Sequence, residues 1–403
     1  MQLVAPIKPH DKQKPIINPP ARFNVIAAGR RFGKSESQKL RAIYMVMEGM
    51  NVWWVNPTFD NTTEAWQDFL NFFDQFVPRD HINKSRREII TPTGGKLRMI
   101  GANNFKRGSG INHVFIDEAA FIDLEELWSY QLRPMLVESK GGATFLSSTN
   151  GRNGFWRLYQ MGLDPEEPQW ASWHFTSYDN PLLDPAELDD IKRHTTERVF
   201  QQEYLAEFLE DGGAVFRNLQ ACVIGEAQHA GQIIIGADWA RHNDYTVLTA
   251  IDKQTHHVLE IDRFNQIDWT LQRGRLEAMY KRHNAQAVWA ETNSIGEPNI
   301  EELRKSGLNV RGFTTTASSK PGLINSLALA FEQNDIGIPD NPTLLGELQA
   351  YSIERLPSGN FRYNAPAGMH DDMVISLALA WHGVSQGTLR VESAPSALSN
   401  FRG

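Results

Sequence analysis

The sequence predicts an α/β protein in which a parallel sheet with helices on both faces is followed by a second body that begins with an antiparallel meander. Two observations support this class. Short apolar runs alternate with helical patterns through the first 175 residues, and such alternation is typical of parallel sheets. After residue 215, three apolar runs follow one another with tight links. At 403 residues the chain is long enough for two domains.

The first predicted strand, Val25–Ala28, leads through a glycine-containing loop into the helical pattern Glu36–Glu48. Such a loop points backbone N–H groups at a helix N-terminus, where the helix dipole favours an anion. We expect Lys34 to reach the terminal phosphates of a nucleotide and the Ser35 hydroxyl to bind its Mg²⁺. The competing interpretation is a chance Gly-Lys-Ser in an ordinary loop. The residues expected at the nucleotide are Ala28, which replaces the first glycine of the motif, Gly29, Arg30, Arg31, Gly33, Lys34 and Ser35.

A second apolar run ends in two carboxylates. His113–Ala120 has the composition of a buried parallel strand, and the carboxyl end of such a strand faces the ligand. Two acids closing a hydrophobic strand have no comfortable structural role unless a cation lies beside them. We therefore expect Asp117 to complete the Mg²⁺ shell and Glu118 to polarise the attacking water.

Further elements fill the first domain. Asn51–Asn56 predicts a buried strand, and Thr62–Phe76 an amphipathic helix. A Thr-Gly-Gly turn between Glu88–Thr91 and Lys96–Ile100 predicts a hairpin. Ala143–Thr149 predicts another strand, whose polar end faces the nucleotide and could sense the γ-phosphate, although its sequence is also common in turns. The residues at that end are Ser148, Thr149 and Asn150.

Other side chains are candidates for nucleotide contact. Arg30, Arg31 and Arg107 could stabilise charge on the transferring phosphoryl group, Arg107 from a neighbouring subunit if it acts in trans. Gln13 lies shortly before the first strand. Its amide could read an adenine edge, and the competing interpretation is a surface glutamine.

Composition and charge limit the class of protein. The one cysteine, Cys222, excludes an internal disulfide and fits a reducing compartment. We expect a cytoplasmic protein, because no signal-like segment and no apolar run long enough to cross a bilayer is present. The net charge of −8 does not indicate a nucleic-acid binder, yet eight Lys and Arg residues lie between Arg79 and Arg107. This basic segment is either a solvated face or a surface that contacts phosphates.

The pattern loosens after residue 175 and changes again after residue 215. Pro185–Phe208 predicts one or two charged helices in a lid or hinge, and Asp211-Gly212-Gly213 ends them. We therefore divide the chain into a nucleotide-binding domain (1–175), a lid or linker (176–215), a second domain (216–385) and a mobile polar tail (386–403).

Four carboxylates end elements of the second domain. Gln232–Asp238, Tyr245–Asp252 and His257–Asp262 predict the meander, and Ala287–Glu291 a fourth strand. Because the first and fourth strands should lie side by side in parallel, their terminal acids are expected to converge with a helix that begins near residue 371. The predicted helices are Leu271–His283, Leu323–Asn334 and an apolar helix containing Ile375–Trp381, and the converging acids are Asp238, Glu291, Asp371 and Asp372.

Acidic side chains brought together repel unless divalent cations lie between them. Two Mg²⁺ or Mn²⁺ ions roughly 3.5–4 Å apart would position a water and stabilise the leaving oxygen in phosphodiester cleavage. The alternatives are that Asp371 or Asp372 caps the helix and that Glu291 is a turn residue. His370 and His242 are candidates for proton transfer, with a surface role as the alternative.

The order and spacing of these motifs resemble the large terminase subunit of tailed bacteriophages from about residue 10 to residue 385. The resemblance implies an additional-strand P-loop ATPase followed by a nuclease with a ribonuclease-H-like fold. The motifs that carry it are Gly-Arg-Arg-Phe-Gly-Lys-Ser (29–35), Val-Phe-Ile-Asp-Glu-Ala (114–119), Ser-Thr-Asn (148–150), Gly-Ala-Asp (236–238), Glu-Thr-Asn (291–293) and His-Asp-Asp (370–372).

The resemblance also implies a mode of action. ATP hydrolysis would drive double-stranded DNA into a prohead through the portal, in a ring that is usually of five subunits, with a small terminase subunit as partner. Arg107 matches the family's trans-acting arginine finger, and Ser148-Thr149-Asn150 its coupling motif. The nuclease would cut the DNA concatemer in the host cytoplasm. The alternative from another class is an ATP-switched DNA-binding or assembly protein whose acidic cluster is structural.

Overall fold

A computed structural model of the chain describes residues 8–105, 110–209, 214–240, 244–292, 296–355, 361–365 and 370–386. Arg107, His242 and all but the first residue of the predicted tail lie outside these ranges. Two units are distinguished: unit 1 comprises Met1–Asp211 and Arg355–Phe361, and unit 2 comprises Gly212–Glu354 and Arg362–Gly403.

Unit 1 is built on an eight-stranded sheet. Six strands are parallel in the order β5-β2-β6-β7-β1-β8, and the short strands β3 and β4 extend the β5 edge antiparallel. The strands are β1 (Phe23–Ala28), β2 (Asn51–Asn56), β3 (Ile82–Asn83), β4 (Glu88–Ile90), β5 (Lys96–Gly101), β6 (His113–Asp117), β7 (Gly142–Ser147) and β8 (Trp170–Phe175).

Some helices of unit 1 connect its strands, as a parallel sheet requires, whereas others precede the first strand or follow the last. Pro185–Phe208 forms two helices, and Glu125–Leu132 is π-helical. The helices are α1 (Lys14–Ile17), α2 (Lys34–Met47), α3 (Thr63–Phe73), α4 (Arg133–Met135), α5 (Gly154–Met161), α6 (Pro185–Arg193) and α7 (Glu197–Glu203).

The strand order of unit 1 decides which loops meet. All six residues of β1 are buried, which fits a central parallel strand. Strand β7 lies between β1 and β6, so an additional strand separates the strand before the glycine loop from the strand that ends in acids. The parallel arrangement places the ends of β1, β6 and β7 at the same edge of the sheet.

Unit 2 contains a five-stranded sheet in the order β12-β11-β10-β13-β14. The predicted meander is present, and β10 pairs in parallel with β13, which confirms that the first and fourth predicted strands are neighbours. Two two-stranded sheets, β9 with β15 and β16 with β17, complete it. The strands are β9 (Val223–Ile224), β10 (Ile233–Asp238), β11 (Thr246–Asp252), β12 (Val258–Phe264), β13 (Ala287–Glu291), β14 (Val310–Phe313), β15 (Ile338–Pro339), β16 (Ser352–Arg355) and β17 (Phe361–Asn364).

Helices surround the five-stranded sheet. The apolar C-terminal helix is almost entirely buried. The helix predicted over Leu323–Asn334 begins earlier, at Ser319, and ends at Glu332. Among the described residues, no helix is both long and apolar enough to cross a bilayer. The helices are α8 (Trp269–Arg282), α9 (Gly296–Lys305), α10 (Ser319–Glu332), α11 (Pro342–Ala350) and α12 (Asp372–Ser385).

A glycine lets α12 pack directly on the first strand of the meander. A Cβ atom at Gly236 would lie 2.0 Å from the Ser376 carbonyl oxygen and 2.5 Å from the Ala380 nitrogen. The Ser376 hydroxyl donates a hydrogen bond to the Gly236 carbonyl over 3.1 Å. This close approach fixes the start of α12 relative to the end of β10.

Gly236→Ala is therefore expected to destabilise unit 2 strongly, by roughly 3 kcal/mol, because the added methyl group would overlap the backbone of α12. Thermal unfolding followed by circular dichroism measures the effect. Gly274→Ala is the matched control, since a Cβ atom at Gly274 in α8 meets nothing within 4 Å. Helix propensity predicts an unchanged or slightly higher unfolding temperature for that control. Equal unfolding temperatures for the two variants would contradict the packing argument.

Candidate active sites

The glycine-containing loop of unit 1 has the geometry of a phosphate loop. Gly33 caps α2 with a φ of 90°, a left-handed conformation that glycine adopts without strain, and α2 begins at Lys34. The Lys34 side chain is largely buried. A Cβ atom at Gly29 would lie 2.2 Å from the Tyr204 carbonyl oxygen, so only glycine fits there. Ala28 is the buried last residue of β1, and its methyl group is accommodated in the core.

The predicted magnesium residues of unit 1 lie in contact. The Ser35 hydroxyl donates a hydrogen bond to Asp117 Oδ1 over 3.2 Å. Burial, and then the charge of Glu118, raise the pKa of Asp117 to about 6, whereas Lys34 and the Ser35 hydroxyl lower it. A hydroxyl and a carboxylate that meet at a helix N-terminus are the oxygen ligands that Mg²⁺ prefers, so the residues present fit the ion.

Glu118 has an unusual backbone conformation. Its φ is 53° and its ψ is 40°, in the left-handed region that non-glycine residues rarely adopt. The Ser147 hydroxyl lies 3.5 Å from Glu118 Oε2. Such outliers persist where the surrounding structure fixes them, and they cluster at functional sites. Because of this conformation, the Glu118 side chain leaves the backbone in a different direction from that of a residue in a continuing strand.

A carboxylate that the sequence interpretation missed joins the loop to the end of β7. Glu203 Oε2 accepts hydrogen bonds from Arg30 Nε over 2.8 Å and from the Ser148 hydroxyl over 3.1 Å. The Thr149 hydroxyl donates to the carbonyl of Glu207 over 2.7 Å. The polar end of β7 is therefore tied to the last residue of α7 and to the segment that follows this helix, within the predicted lid. Asn150 is buried, and its amide donates to the Ala120 carbonyl.

The predicted lid also contacts the loop backbone. The Ser177 hydroxyl donates to the Arg30 carbonyl over 2.6 Å, and the Asn180 amide donates to the Arg31 carbonyl over 2.7 Å. Arg31 has a φ of 62°. Because these hydrogen bonds hold the loop carbonyls in place, the N–H groups of the same peptide backbone also have a defined arrangement.

Gln13 is not a surface glutamine, so that alternative is wrong. Its side chain is buried, and its amide donates to the Gly33 carbonyl over 2.9 Å while its oxygen accepts from the His10 N–H. Gln13 therefore supports the phosphate loop from the N-terminal side. Its reading of an adenine edge stays a prediction.

The basic segment is only partly free to contact phosphate. Arg87 donates to the Phe59 carbonyl over 2.7 Å and to the Thr62 hydroxyl, and Lys96 pairs with Glu88 over 2.9 Å. The exposed basic residues of the described part of the segment include Arg79, Lys84 and Arg86.

In unit 2 the sheet register brings two of the four predicted acids together. Ala237 pairs with Ala290, so Asp238 and Glu291 follow as the next neighbours on adjacent parallel strands. Their carboxyl groups share a hydrogen bond. Burial, followed by the charges of Glu291, Asp372 and Asp371, raises the pKa of Asp238 well above its usual range. The charges of Asp371 and Asp372 thus act on Asp238. Among the described residues, however, no three of these four acids bring ligand atoms within 4.8 Å of one another. Carboxylates at one sheet edge fit divalent cations.

The two aspartates at the start of α12 have different surroundings. Asp372 is nearly buried, and its Oδ2 accepts a hydrogen bond from the Tyr245 N–H over 3.1 Å. Ligand atoms of Asp244, His370 and Asp372 lie within 4.8 Å of one another. Asp371 does not cap α12 with its side chain, and it pairs instead with Lys320 over 3.3 Å. Sequence reasoning missed Asp244 and Lys320, although Asp244 is an acid shortly after Asp238.

The helix α12 is capped by a residue from a neighbouring helix. Glu347 of α11 accepts a hydrogen bond from the Met373 N–H at its Oε2 over 2.8 Å, and Arg263 lies 3.7 Å from its Oε1. The guanidinium of Arg263 lies 3.3 Å from the ring centroid of Tyr245, whose N–H contacts Asp372. Glu347 thus holds the first turn of α12, and no sequence signal indicated it.

The Glu347 carboxyl gives unit 2 a pH dependence. Burial raises its pKa to about 7, with Asp372 adding to the rise and the Met373 N–H opposing it. Folded Glu347 therefore keeps its proton up to about pH 7, whereas the unfolded chain releases it near pH 4.3. Because the folded state binds more protons in that window, its stability falls as the pH rises from about 4.3 to about 7.

In metal-free buffer, Glu347→Gln should raise the unfolding temperature relative to the unchanged chain. The gain, at most about 4 kcal/mol, should be complete above pH 7 and absent below about pH 4.3. Scanning calorimetry between pH 4 and pH 9 measures it, with the exposed Glu301→Gln as control. A difference that does not vary with pH would refute the linkage.

Both halves of the chain match families of known proteins. Residues 26–221 match the family model described as terminase large subunit, T4likevirus-type, N-terminal, and residues 235–380 match the terminase RNaseH-like domain. The large terminase subunit of Thermus virus P23-45 is 27% identical, over 93% of this chain and 87% of its own.

Solved structures are similar as well. A large terminase from a thermophilic bacteriophage has a similar fold, with a TM-score of 0.61 at 14% identity over 92% of this chain and 98% of its own. The large terminase nuclease of thermophilic phage G20c, solved with bound magnesium, is 31% identical over 42% of this chain and 96% of its own, with a TM-score of 0.39.

The two units thus define an enzyme with an additional-strand P-loop ATPase domain and a ribonuclease-H-like nuclease domain, as the resemblance implied. The chain belongs to the phage terminase large-subunit family.

Proposed function

We propose that this chain is the motor and nuclease of phage DNA packaging. ATP hydrolysis in unit 1 moves double-stranded DNA into the prohead, and a two-metal site in unit 2 cuts the concatemer. The observation that supports the nuclease is that Asp238 and Glu291 end neighbouring parallel strands and share a hydrogen bond, with the charges of Asp371 and Asp372 also acting on Asp238.

In unit 1 the residues divide the work of ATP hydrolysis. Lys34 and the loop N–H groups bind the terminal phosphates, and Ser35 and Asp117 hold the Mg²⁺ that neutralises charge on them. Glu118 accepts a hydrogen bond from the attacking water and orients it toward the γ-phosphate. The hydrogen bond between Ser35 and Asp117 supports this assignment, since both side chains already face one point.

Arginines near the nucleotide and the polar end of β7 are assigned to the transferring phosphoryl group. Arg30 and Arg31 stabilise charge on the transferring group, with Gly29 and Gly33 giving the phosphates close access. Ser148, Thr149 and Asn150 couple the state of the nucleotide to the lid, and the contacts of Ser148 with Glu203 support this role. Arg107 acts as a finger from the neighbouring subunit, and Gln13 reads the adenine.

In unit 2 the acids position the reacting groups of DNA. Asp238, Glu291, Asp371 and Asp372 hold two Mg²⁺ or Mn²⁺ ions, which supply Lewis acidity and an activated water when bound. Burial of Asp238 among like charges supports this, because carboxylates held close together repel one another unless a cation lies between them. His370 is placed to exchange a proton, 3.5 Å from Asp372.

Packaging also requires partners. We propose that the chain works in the host cytoplasm as a ring of five subunits on the portal of a prohead, with a small terminase subunit that delivers DNA. Residues 1–175 form the ATPase domain, 176–215 the lid, 216–385 the nuclease domain and 386–403 a tail.

Cleavage of supercoiled plasmid with Mn²⁺, with and without ATP, tests the proposal. We expect nicked and linear products that require the metal, together with release of phosphate from ATP. ATP-dependent retention of DNA with no nicking under any divalent metal would instead identify a nucleotide-switched binding protein.

A further inference from the structure

One lysine contacts the acidic cluster of unit 2 without belonging to it. Lys320 Nζ lies 3.3 Å from Asp371 Oδ2. The two side chains are 24% and 29% exposed, so solvent reaches the pair only partly. The sequence motifs include no lysine of unit 2. A positively charged side chain thus lies beside carboxylates that fit metal ions.

The fold brings Lys320 to this edge through strand pairing. Phe313, the last residue of β14, pairs with Glu291 at the end of β13. Just beyond these strands, the Thr292 N–H donates to the Phe313 carbonyl over 2.9 Å, and the hydroxyls of Thr292 and Thr314 lie 2.8 Å apart. The chain that leads into α10 therefore starts beside Glu291.

A tight turn then fixes the direction of Lys320. The Ser319 N–H donates to the Thr316 hydroxyl over 3.1 Å, and the Thr316 N–H donates to the Ser319 hydroxyl oxygen over 2.9 Å. The Lys320 N–H donates to the Thr316 carbonyl over 3.0 Å. These reciprocal hydrogen bonds fix the turn that precedes α10. Lys320 lies on the first turn of α10, where its backbone has little freedom.

The side chain of Lys320 is also confined. Its Nζ lies 5.8 Å from the ring centroid of Tyr351, which is fully buried and donates its hydroxyl proton to the Tyr363 carbonyl. The aromatic ring and Asp371 together define where the ammonium rests. A partly desolvated ammonium beside an acid lowers the repulsion among the four carboxylates.

We propose that Lys320 competes with the metal for Asp371 and, once displaced, contacts the scissile phosphate. The proposal rests on the nuclease function proposed above. An ammonium and a divalent cation that share Asp371 repel each other, so each weakens the binding of the other to that carboxylate. The phosphodiester that enters with the metals is the nearest new anion for the released ammonium. Lys320 would thus oppose metal binding and assist cleavage.

These two roles predict changes of opposite sign in one variant. Lys320→Met keeps the length of the side chain and removes its charge. We expect the nucleotide-free full-length variant to bind Mn²⁺ about tenfold more tightly in calorimetric titration, because the competing cation is gone. At saturating Mn²⁺ the same variant should nick supercoiled plasmid at least about tenfold more slowly.

Two further variants separate charge from structure. Lys320→Arg keeps the charge and should bind Mn²⁺ within about threefold of the unchanged chain. Lys305→Met removes an exposed lysine paired with Glu302 in the same unit, and should change neither quantity. Thermal unfolding shows whether each variant is folded.

Unchanged or weaker Mn²⁺ binding by folded Lys320→Met would overturn the competition, and unchanged nicking at saturating metal would overturn the phosphate contact. Lys320→Met that does not fold would show a structural ion pair and would also overturn the proposal, unless Lys320→Gln folds and binds Mn²⁺ more tightly. Failure of the unchanged chain to cut plasmid refutes the nuclease function instead, while the Mn²⁺ titration still decides the competition.

Discussion

Asp238→Asn should abolish cutting of plasmid DNA and leave ATP hydrolysis intact. Asp238 is hydrogen-bonded to Glu291, and the charges of Asp371 and Asp372 act on its carboxyl group. The amide removes one negative charge and one metal-binding oxygen from the site. Because metal-assisted cleavage depends on that charge, we expect a loss of about a thousandfold or more in the rate of nicking.

The experiment compares Mn²⁺-dependent nicking of supercoiled plasmid with phosphate release from ATP in the same preparations. Asp262→Asn is the matched control, since Asp262 lies on β12 of the same unit and pairs with Arg275 at the surface. That control should nick DNA at the rate of the unchanged chain. Cleavage by Asp238→Asn at a rate near that of its control would remove the nuclease assignment.

Lys34→Ala and Glu118→Gln should each abolish ATP hydrolysis, for different reasons. Lys34 is the first residue of α2 and directly follows the phosphate loop. Removal of its side chain should weaken nucleotide binding as well as turnover. Glu118 is expected to orient the attacking water, so its amide should leave binding intact and lower turnover by roughly a hundredfold or more.

A fluorescent ATP analogue measures binding, and phosphate release measures turnover. Glu125→Gln is the matched control for the glutamate, because Glu125 is exposed and pairs with Arg157. Metal-dependent nicking without ATP should persist in both variants. Full ATP turnover by Glu118→Gln would contradict the role given to Glu118, the residue with a left-handed backbone that follows β6.

Local patterns predicted the parts of the fold that depend on neighbouring residues. The apolar runs before Lys34 and Asp117 specify buried strands, and three tightly linked strands leave few ways to place a fourth. The side-by-side ends at Asp238 and Glu291 follow from that topology. The start of α12 at Asp372 was also visible, as an acidic pair before an apolar helix.

The missed residues depend on packing between distant elements. Lys320 reaches the acids only because β14 pairs with β13 and the reciprocal hydrogen bonds of Thr316 and Ser319 turn the chain. Glu347 caps α12 from another helix, and Glu203 joins Arg30 to the end of β7 across 173 residues. In each case the partners are far apart in sequence, and the missed residue itself belongs to no local motif.

The buried state of Gln13 has a similar cause. A polar residue before a proline-rich segment has no local sign of burial, yet the carbonyl of Gly33 and the N–H of His10 satisfy its amide. The phosphate loop therefore depends on residues on both sides of β1.

The most direct test of the two-metal nuclease is an anomalous difference map from crystals grown with Mn²⁺. The account predicts two peaks roughly 3.5–4 Å apart, bounded by Asp238, Glu291 and the Asp371-Asp372 pair. No peak among these acids, or a single ion held by Asp244 and His370 away from Asp238, would contradict it.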